Sequence, residues 1–340
     1  MESAIIDFMT NWITQTIEPW MPKGALKAKD DYAKIAQASG FSRLPLERYN
    51  DQRFSKTERQ KRIEEALKLI VPGDTVVHQF PTYMSADFEA EWLTAIKDKK
   101  ANYVLLIHDF EPFRVTKANP TEFTLAQKAD LIITHSEAMS QYLAKMGVNK
   151  KTIVQPLFDY LGPNPPLASY QKILNYAGTW QKAPWLQDYQ GPALKLFGNR
   201  PKKWRDWQTP ADIEWTGNFE PDDIQNHLDS GFGLLWDSDF DTLHYQSYTK
   251  INAPHKASLY LKAGLPLIAW QESHIGRLID RYQIGFTIND LDELEDLMKT
   301  LTADQYQSWQ ANLLPLREQV SEGFFTKTTL EAVTDFFHRS

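Results

Sequence analysis

Cysteine is missing from all 340 positions. Disulfides and thiolate metal sites are therefore excluded, and the absence suits a cytoplasmic protein. No apolar run approaches the roughly 20 residues that a membrane-spanning helix needs. The opening segment, MESAIIDFMTNW, carries acidic residues and no basic leader, so a secretory signal is not expected there. Positive charge is also in short supply. Lys and Arg number 37 against 44 Asp and Glu, a net −7, which gives no overall electrostatic case for nucleic acid. Only 15 glycines are present, and none of them builds a GxGxxG fingerprint after a strand. No internal repeat is visible.

What the sequence does contain is an α/β rhythm, in a length that accommodates two domains. In the first half, strands are expected at 11–16, 44–48, 75–79, 103–107, 129–135 and 151–155. Helices are expected at 25–38, 56–69, 86–97 and 137–146, the last two capped by Ser85 and Ser136. The run YVLLI at 103–107 is continuous and apolar, as a central parallel strand buried on both faces should be. Residues 159–170, DYLGPNPPLASY, read as a linker. The second half resumes with strands at 172–176, 194–197, 213–215, 232–236, 267–269 and 285–288. Helices are expected at 221–228, 274–281 and 291–299, and a polar loop at 237–248. A largely helical tail runs from 303 to 339, rich enough in Phe and Trp to leave a homo-oligomer open.

The chain is organised around residues 250–270, KINAPHKASLYLKAGLPLIAW. Lys250, Asn252, His255 and Lys256 form a polar start, with Pro254 expected in the first helical turn. Leu259, Tyr260 and Ala263 follow at helical spacing, Gly264 stops the helix, and a short apolar strand succeeds it. Cations beside free backbone N–H groups make such a start a ready phosphate or diphosphate site, and also an ordinary solvated helix end.

The second cluster is His108, Asp109 and Glu111, directly after the strand at 103–107. Ligands of open α/β sheets bind beyond the carboxyl ends of the strands, so these three residues fall at the mouth of a cleft. Three titratable groups together at a strand end suggest a functional role for at least one of them. Asp237-Ser238-Asp239 has the spelling of a metal-binding Asp-X-Asp motif, but a surface turn explains it as well, and no metal is expected.

The segments HDFEP, NFEPDDI, SGFGLLW and HKASLYLKAGLPLIAW, in this order, resemble the glucosyltransferase-three family, whose members extend the glycan of streptococcal serine-rich-repeat adhesins. The chain is also similar to β-1,6-galactofuranosyltransferases. The resemblance runs from about Trp12 to about Phe337 and implies a GT-B fold: two Rossmann-like α/β domains facing across a cleft. Residues 1–160 would bind the acceptor and 171–315 the nucleotide sugar, while 316–340 would return to the first domain. It further implies a UDP-sugar donor with no other cofactor, and a glycan, glycopeptide or lipid-linked acceptor. A peripheral membrane contact stays open.

By position, the resemblance puts Lys182 (arginine in a relative) on the diphosphate and Phe219 against the uridine. Lys256 is the leading phosphate contact, with Lys250 adding charge and Asn252 or His255 on ribose or phosphate. The loop at Gly24 would reach the donor from the first domain. Related enzymes make β-linkages from α-linked donors, which implies inversion. An inverting displacement needs a base, for which Asp109, Glu111 and His108 are the candidates. A GT-B-type epimerase, or a non-catalytic nucleotide-sugar-binding subunit, would share the same nucleotide features.

Overall fold

The computed structural model describes residues 9–338. Residues 1–8, on which the leader question falls, and Arg339 of the expected tail lie outside the described residues. The first half alternates β1 (Asn11–Ile17), α1 (Lys23–Ala38), β2 (Ser42–Glu47), α2 (Lys56–Ala66), β3 (Thr75–Phe80) and α3 (Ala86–Asp98). It continues through β4 (Asn102–Ile107), α4 (Thr121–Lys128), β5 (Leu131–Thr134), α5 (Glu137–Lys145) and β6 (Thr152–Val154). Its sheet has the order β2-β1-β3-β4-β5-β6, with every neighbouring pair parallel. The order reverses between β1 and β3, so a crevice opens at their carboxyl ends. β3 is buried along its whole length, and β4 at all but its first residue. Apolar clusters cover both faces of the sheet, one around Trp92 and Leu105, the other around Val104 and Leu106.

The second half runs β7 (Ser169–Ala177), β8 (Leu194–Phe197), β9 (Ile213–Gly217), β10 (Ser230–Leu235) and a two-stranded ribbon, β11 (Asp239–Phe240) with β12 (Leu243–His244). Then come α6 (Tyr245–Thr249), α7 (His255–Ala263), β13 (Leu267–Trp270), α8 (His274–Tyr282), β14 (Gly285–Ile288) and α9 (Leu294–Thr300). The sheet order is β14-β13-β10-β7-β8-β9, again parallel, with its reversal between β7 and β10. This is the doubly wound arrangement of two Rossmann-like halves that the alternation implies.

α10 (Ala303–Glu322) packs on α7, and α11 (Phe324–His338) packs on α1 and β6 of the first half. The turn between them is Gly323 at φ 78°, a left-handed position that suits glycine. Buried Asp159 caps α11 by accepting from the Phe325 and Thr326 N–H groups, at 3.2 and 2.7 Å. The tail therefore fastens to the linker as well as to the first sheet.

Three readings differ from the structure. The helix expected at 221–228 is only a 3-10 turn at Ile224–Asn226. Asp222 is drawn into an ion pair with Lys27 at 2.9 Å, and Gln225 donates to the Pro163 carbonyl at 2.7 Å, so tertiary contacts override the local pattern. The loop at 237–248 is instead the ribbon plus α6. Pro254 lies one residue outside α7, as an extended N-cap, and not inside the first turn.

Candidate active site

The carboxyl ends of both sheets meet across one trough. A cleft of about 540 Å³ opens between Glu18, Lys29, Arg48, Tyr83, His108 and Asp109 on one wall and Tyr176, Gly178, Lys182, Asp237, Asn252, His255 and Lys256 on the other. A second compartment of about 460 Å³ continues from it, lined by Gly24, Gly178, Phe197, Arg200, Asn218, Phe219, His255, Lys256 and Leu259. Gly24, Gly178, His255 and Lys256 border both compartments.

On the second-half wall, Pro254 sets the start of α7 against the cleft. Lys256 Nζ is 2.7 Å from Asp237 Oδ1, and the Tyr176 hydroxyl donates to the same oxygen at 3.1 Å. Burial acts to raise the Asp237 carboxyl, but the Lys256 and Lys182 cations and these two hydrogen bonds hold it below its ordinary value. The Lys182 ammonium lies 5.1 Å from the centre of the Tyr245 ring. His255 Nε2 donates to the Asp159 carbonyl at 3.0 Å, and its ring stacks on Tyr160 at 4.8 Å. Burial pushes His255 down to about 4, so the imidazole is neutral. Asn252 Oδ1 is buried without a hydrogen-bond partner. Phe219 stacks on His227 at 3.8 Å and lines the second compartment.

On the first-half wall, β4 delivers His108 and Asp109. Gln79 Nε2 donates to the Thr14 and Lys29 carbonyls at 2.7 and 3.2 Å, so its Oε1 is left to accept from His108 Nε2 at 2.9 Å. This network puts the His108 proton on Nε2. Burial, followed by Lys29, His135 and His255, keeps the ring well below its usual pKa and uncharged. Asp109 Oδ2 accepts from the Tyr83 hydroxyl and from Arg114, both at 2.9 Å. Glu18 pairs with Arg48 at 2.5 Å. Lys29 donates to the Pro81 carbonyl and lies 4.9 Å from the Tyr83 ring centre. Burial lowers Lys29 to about 8, against the opposing pull of Glu18, Glu89 and Asp109.

Eight of the ten residues singled out from sequence thus line the trough: His108, Asp109, Gly24, Lys182, Phe219, Asn252, His255 and Lys256. Glu111 and Lys250 do not. Glu111 turns to Arg114 at 2.8 Å within a 3-10 turn, Glu111–Phe113. Lys250 pairs with Glu272 and lies over the Trp270 ring, outside both compartments. Asp237 and Asp239 do not converge either, because Asp239 accepts from the Ser247 amide and hydroxyl. Among the described residues no group of three or more His, Cys, Asp and Glu is placed to hold a metal.

Glu18, Lys29, Arg48 and Tyr83 escape the sequence reading. The strand-end rule that finds His108 also reaches Glu18, just after β1, and Tyr83, just after β3. It reaches Arg48 as well, just after β2, whereas Lys29, inside α1, carries no such signal, because its inward direction is set by packing.

The comparisons with known proteins agree with this geometry. Models of the glucosyltransferase 3-like N-terminal and C-terminal domains match residues 10–157 and 174–333. Glucosyltransferase 3 of Streptococcus gordonii is 25% identical over 313 residues, 90% of this chain and 92% of that protein. The β-1,6-galactofuranosyltransferase WbbI of Escherichia coli is 26% identical over 247 residues, 69% of this chain and 72% of that protein. A solved structure of Anabaena HepE in complex with UDP and glucose superposes with a TM-score of 0.61 at 11% identity, covering 96% of this chain and 100% of that one. Two parallel α/β halves around one cleft, with both halves matched by the same family, make the chain a GT-B glycosyltransferase that belongs to the glucosyltransferase 3-like family.

Proposed function

We propose that the protein transfers a hexose from a UDP-sugar to a glycan, glycopeptide or lipid-linked acceptor, with inversion and without a metal. Glucose is the favoured sugar, since the Streptococcus gordonii relative, matched over 90% of this chain, is named a glucosyltransferase, and galactofuranose comes next. The observation that carries the reading is the pair of cations, Lys256 and Lys182, at the start of α7 and beside the Gly178 turn, facing Asp109 across the trough.

In this reading the aromatic second compartment takes the uridine, with Phe219 against base or ribose. The unpartnered Asn252 Oδ1 accepts from a ribose hydroxyl. Lys256, Lys182 and the free N–H groups opening α7 stabilise charge that develops on the leaving diphosphate. Asp109 accepts the proton of the incoming hydroxyl, and neutral His108 beside it is a second hydrogen-bond acceptor through Nδ1. The acceptor then attacks the anomeric carbon as the bond to the diphosphate oxygen breaks, and UDP departs.

A calorimetric screen of UDP, UDP-glucose, UDP-galactopyranose, UDP-galactofuranose, UDP-GlcNAc and GDP- and ADP-sugars tests the donor. Selective binding of UDP and one UDP-hexose is expected. No response to any nucleotide would refute the reading. Product analysis tests the chemistry, with a β-glycoside expected; free sugar or an epimerised nucleotide would reassign the reaction. Activity is expected to persist in EDTA, and rescue by a divalent ion would overturn metal independence.

A further inference from the structure

We propose that Arg114 is a positioning residue for Asp109, and that the second-half segment 237–248 holds Arg114 in place. The carboxylate on the acceptor side is then set by a strap from the donor half. This inference rests on the function proposed above, in which Asp109 receives the acceptor proton.

Arg114 is the residue on which these contacts converge. Its Nη1 reaches Asp109 Oδ2 at 2.9 Å and Glu111 Oε1 at 2.8 Å, while the residue is only 8% exposed. A buried guanidinium bonded to two carboxylates is a fixed point, because it cannot leave them both without becoming a buried charge with no anionic partner. What surrounds it comes from the other half. Tyr245 and Tyr248 present their rings to it, 5.6 and 5.7 Å from Cζ. The Arg114 carbonyl accepts from the His244 N–H at 2.8 Å, Val115 bridges Leu243, and the Thr116 N–H donates to the Thr242 carbonyl at 2.9 Å. The Thr116 hydroxyl and His244 Nε2 lie 2.7 Å apart. The ribbon β11–β12 therefore docks, by strand-type pairing, on the first-half loop that carries Arg114. One residue after Asp109, the Phe110 N–H donates to the Tyr248 hydroxyl at 3.2 Å.

The opposite end of the same segment belongs to the donor wall. It begins at Asp237, bonded to Lys256, and the Ser238 N–H donates to the Lys182 carbonyl at 2.8 Å. A stretch of 12 residues (237–248) thus runs from the two proposed diphosphate cations to the guanidinium on the proposed base. Nothing in the nucleotide site requires the ribbon to cross to the first half. Setting Asp109 against the donor gives that crossing a role.

The test combines Arg114→Ala, Arg114→Lys and Asp109→Asn with replacement of 239–244 by a Gly-Ser linker of equal length. UDP affinity by calorimetry, kcat and the acceptor KM are read for each. Arg114→Ala is expected to lower kcat about 30-fold, since small misplacements of a reacting group are costly. UDP affinity should stay within about two-fold, which also shows that the variant is folded. Arg114→Lys should recover part of the loss, as a point charge without the fork. In the Asp109→Asn background, Arg114→Ala should change kcat by less than about two-fold, because the two residues act as one unit. The linker variant should lower kcat in the same direction with UDP affinity kept. An equal loss from Arg114→Ala in both backgrounds, or wild-type kcat in Arg114→Ala, overturns the positioning role. Wild-type kcat in the linker variant overturns the cross-half strap. Failure of every protein, wild type included, to bind UDP would instead refute the proposed function itself.

Discussion

On the second-half wall of the cleft, Lys256 and Lys182 both act on one carboxylate, Asp237. On the first-half wall Arg48 has Glu18, Arg114 has Asp109 and Glu111, and Lys29 rests on a carbonyl. Of the groups that line the cleft, the donor wall thus sets Lys256 and Lys182 against Asp237, two cations against one anion, while the acceptor wall balances Lys29 and Arg48 against Glu18 and Asp109. Buried charge without a partner is costly, so an excess of cations facing a cleft marks where an anion is to be received. A balanced wall has no such demand and suits the uncharged hydroxyls of a sugar. Under the proposed function, this difference fits the diphosphate on one side and the acceptor on the other.

The largest test of that division is Asp109→Asn. It should lower kcat about 10²- to 10⁴-fold, the usual range for a lost general base, and leave UDP affinity unchanged. Full turnover would move the base to His108 or Glu18. Lys256→Ala probes the other wall and should have the reverse signature. UDP binding should weaken by ~1.5–3 kcal/mol, the usual scale for a desolvated charge-assisted contact. Unchanged UDP affinity in that variant would remove the assignment of α7 to the diphosphate. The comparison breaks outright if both variants alter the same parameter.

The alternation of strands and helices was legible because periodicity and caps are local signals. Leu194–Phe197 and Gly285–Ile288 were read to the residue. The strand-end rule brought His108 and Asp109 to the cleft, and the polar opening of α7 brought His255 and Lys256. What could not be read was lateral direction. Glu111 is two residues from Asp109 and Lys250 six from Lys256, yet a 3-10 turn aims one at Arg114 and α6 aims the other at Glu272. The ribbon at 239–244 was equally hidden, since two-residue strands have no pattern of their own; here they pair with each other and dock on the first-half loop through Val115 and Leu243. Residues 221–228 show the converse: the local pattern suits a helix, but only a 3-10 turn forms, with Asp222 paired to Lys27 and Gln225 bonded to Pro163.

Proton linkage sharpens the comparison at lower amplitude, because neutral histidines lie behind both walls. His135 donates to the Ile107 carbonyl and accepts from the Ala253 N–H, and burial pushes it and His255 down to about 4. Both folded values lie below the ordinary 6.5, so between about 6.5 and 4 the unfolded chain binds more protons. Stability is therefore full above 6.5 and lost as pH falls through that window, by at most about 1.4 kcal/mol per pH unit for each group. His255→Gln should flatten the acid limb of a melting-temperature profile by one such contribution. Asp159, raised to about 6 mainly by burial, works in the opposite sense from about 3.8 to 6. An acid limb as steep in His255→Gln as in the wild type would mean that His255 is charged in the folded protein.

The smallest expected effect is the most discriminating control. Lys250 belongs to the same polar run as Asn252, His255 and Lys256, and by sequence it is as good a phosphate ligand as any of them. In the structure its side chain is 39% exposed, with the ammonium paired with Glu272 and set over Trp270. An exposed pair of this kind contributes ~0–1 kcal/mol to stability. Lys250→Ala should therefore leave UDP affinity and kcat within about two-fold of wild type, since distant sites add independently. If it weakened UDP as much as Lys256→Ala does, α6 would have to swing toward the donor on binding. Tyr248 lies at that helix and bonds the Phe110 N–H, so such a swing would carry the strap with it. In that case the donor wall would be built only when the nucleotide arrives, and its charge imbalance in the free protein would understate the positive charge that the diphosphate meets.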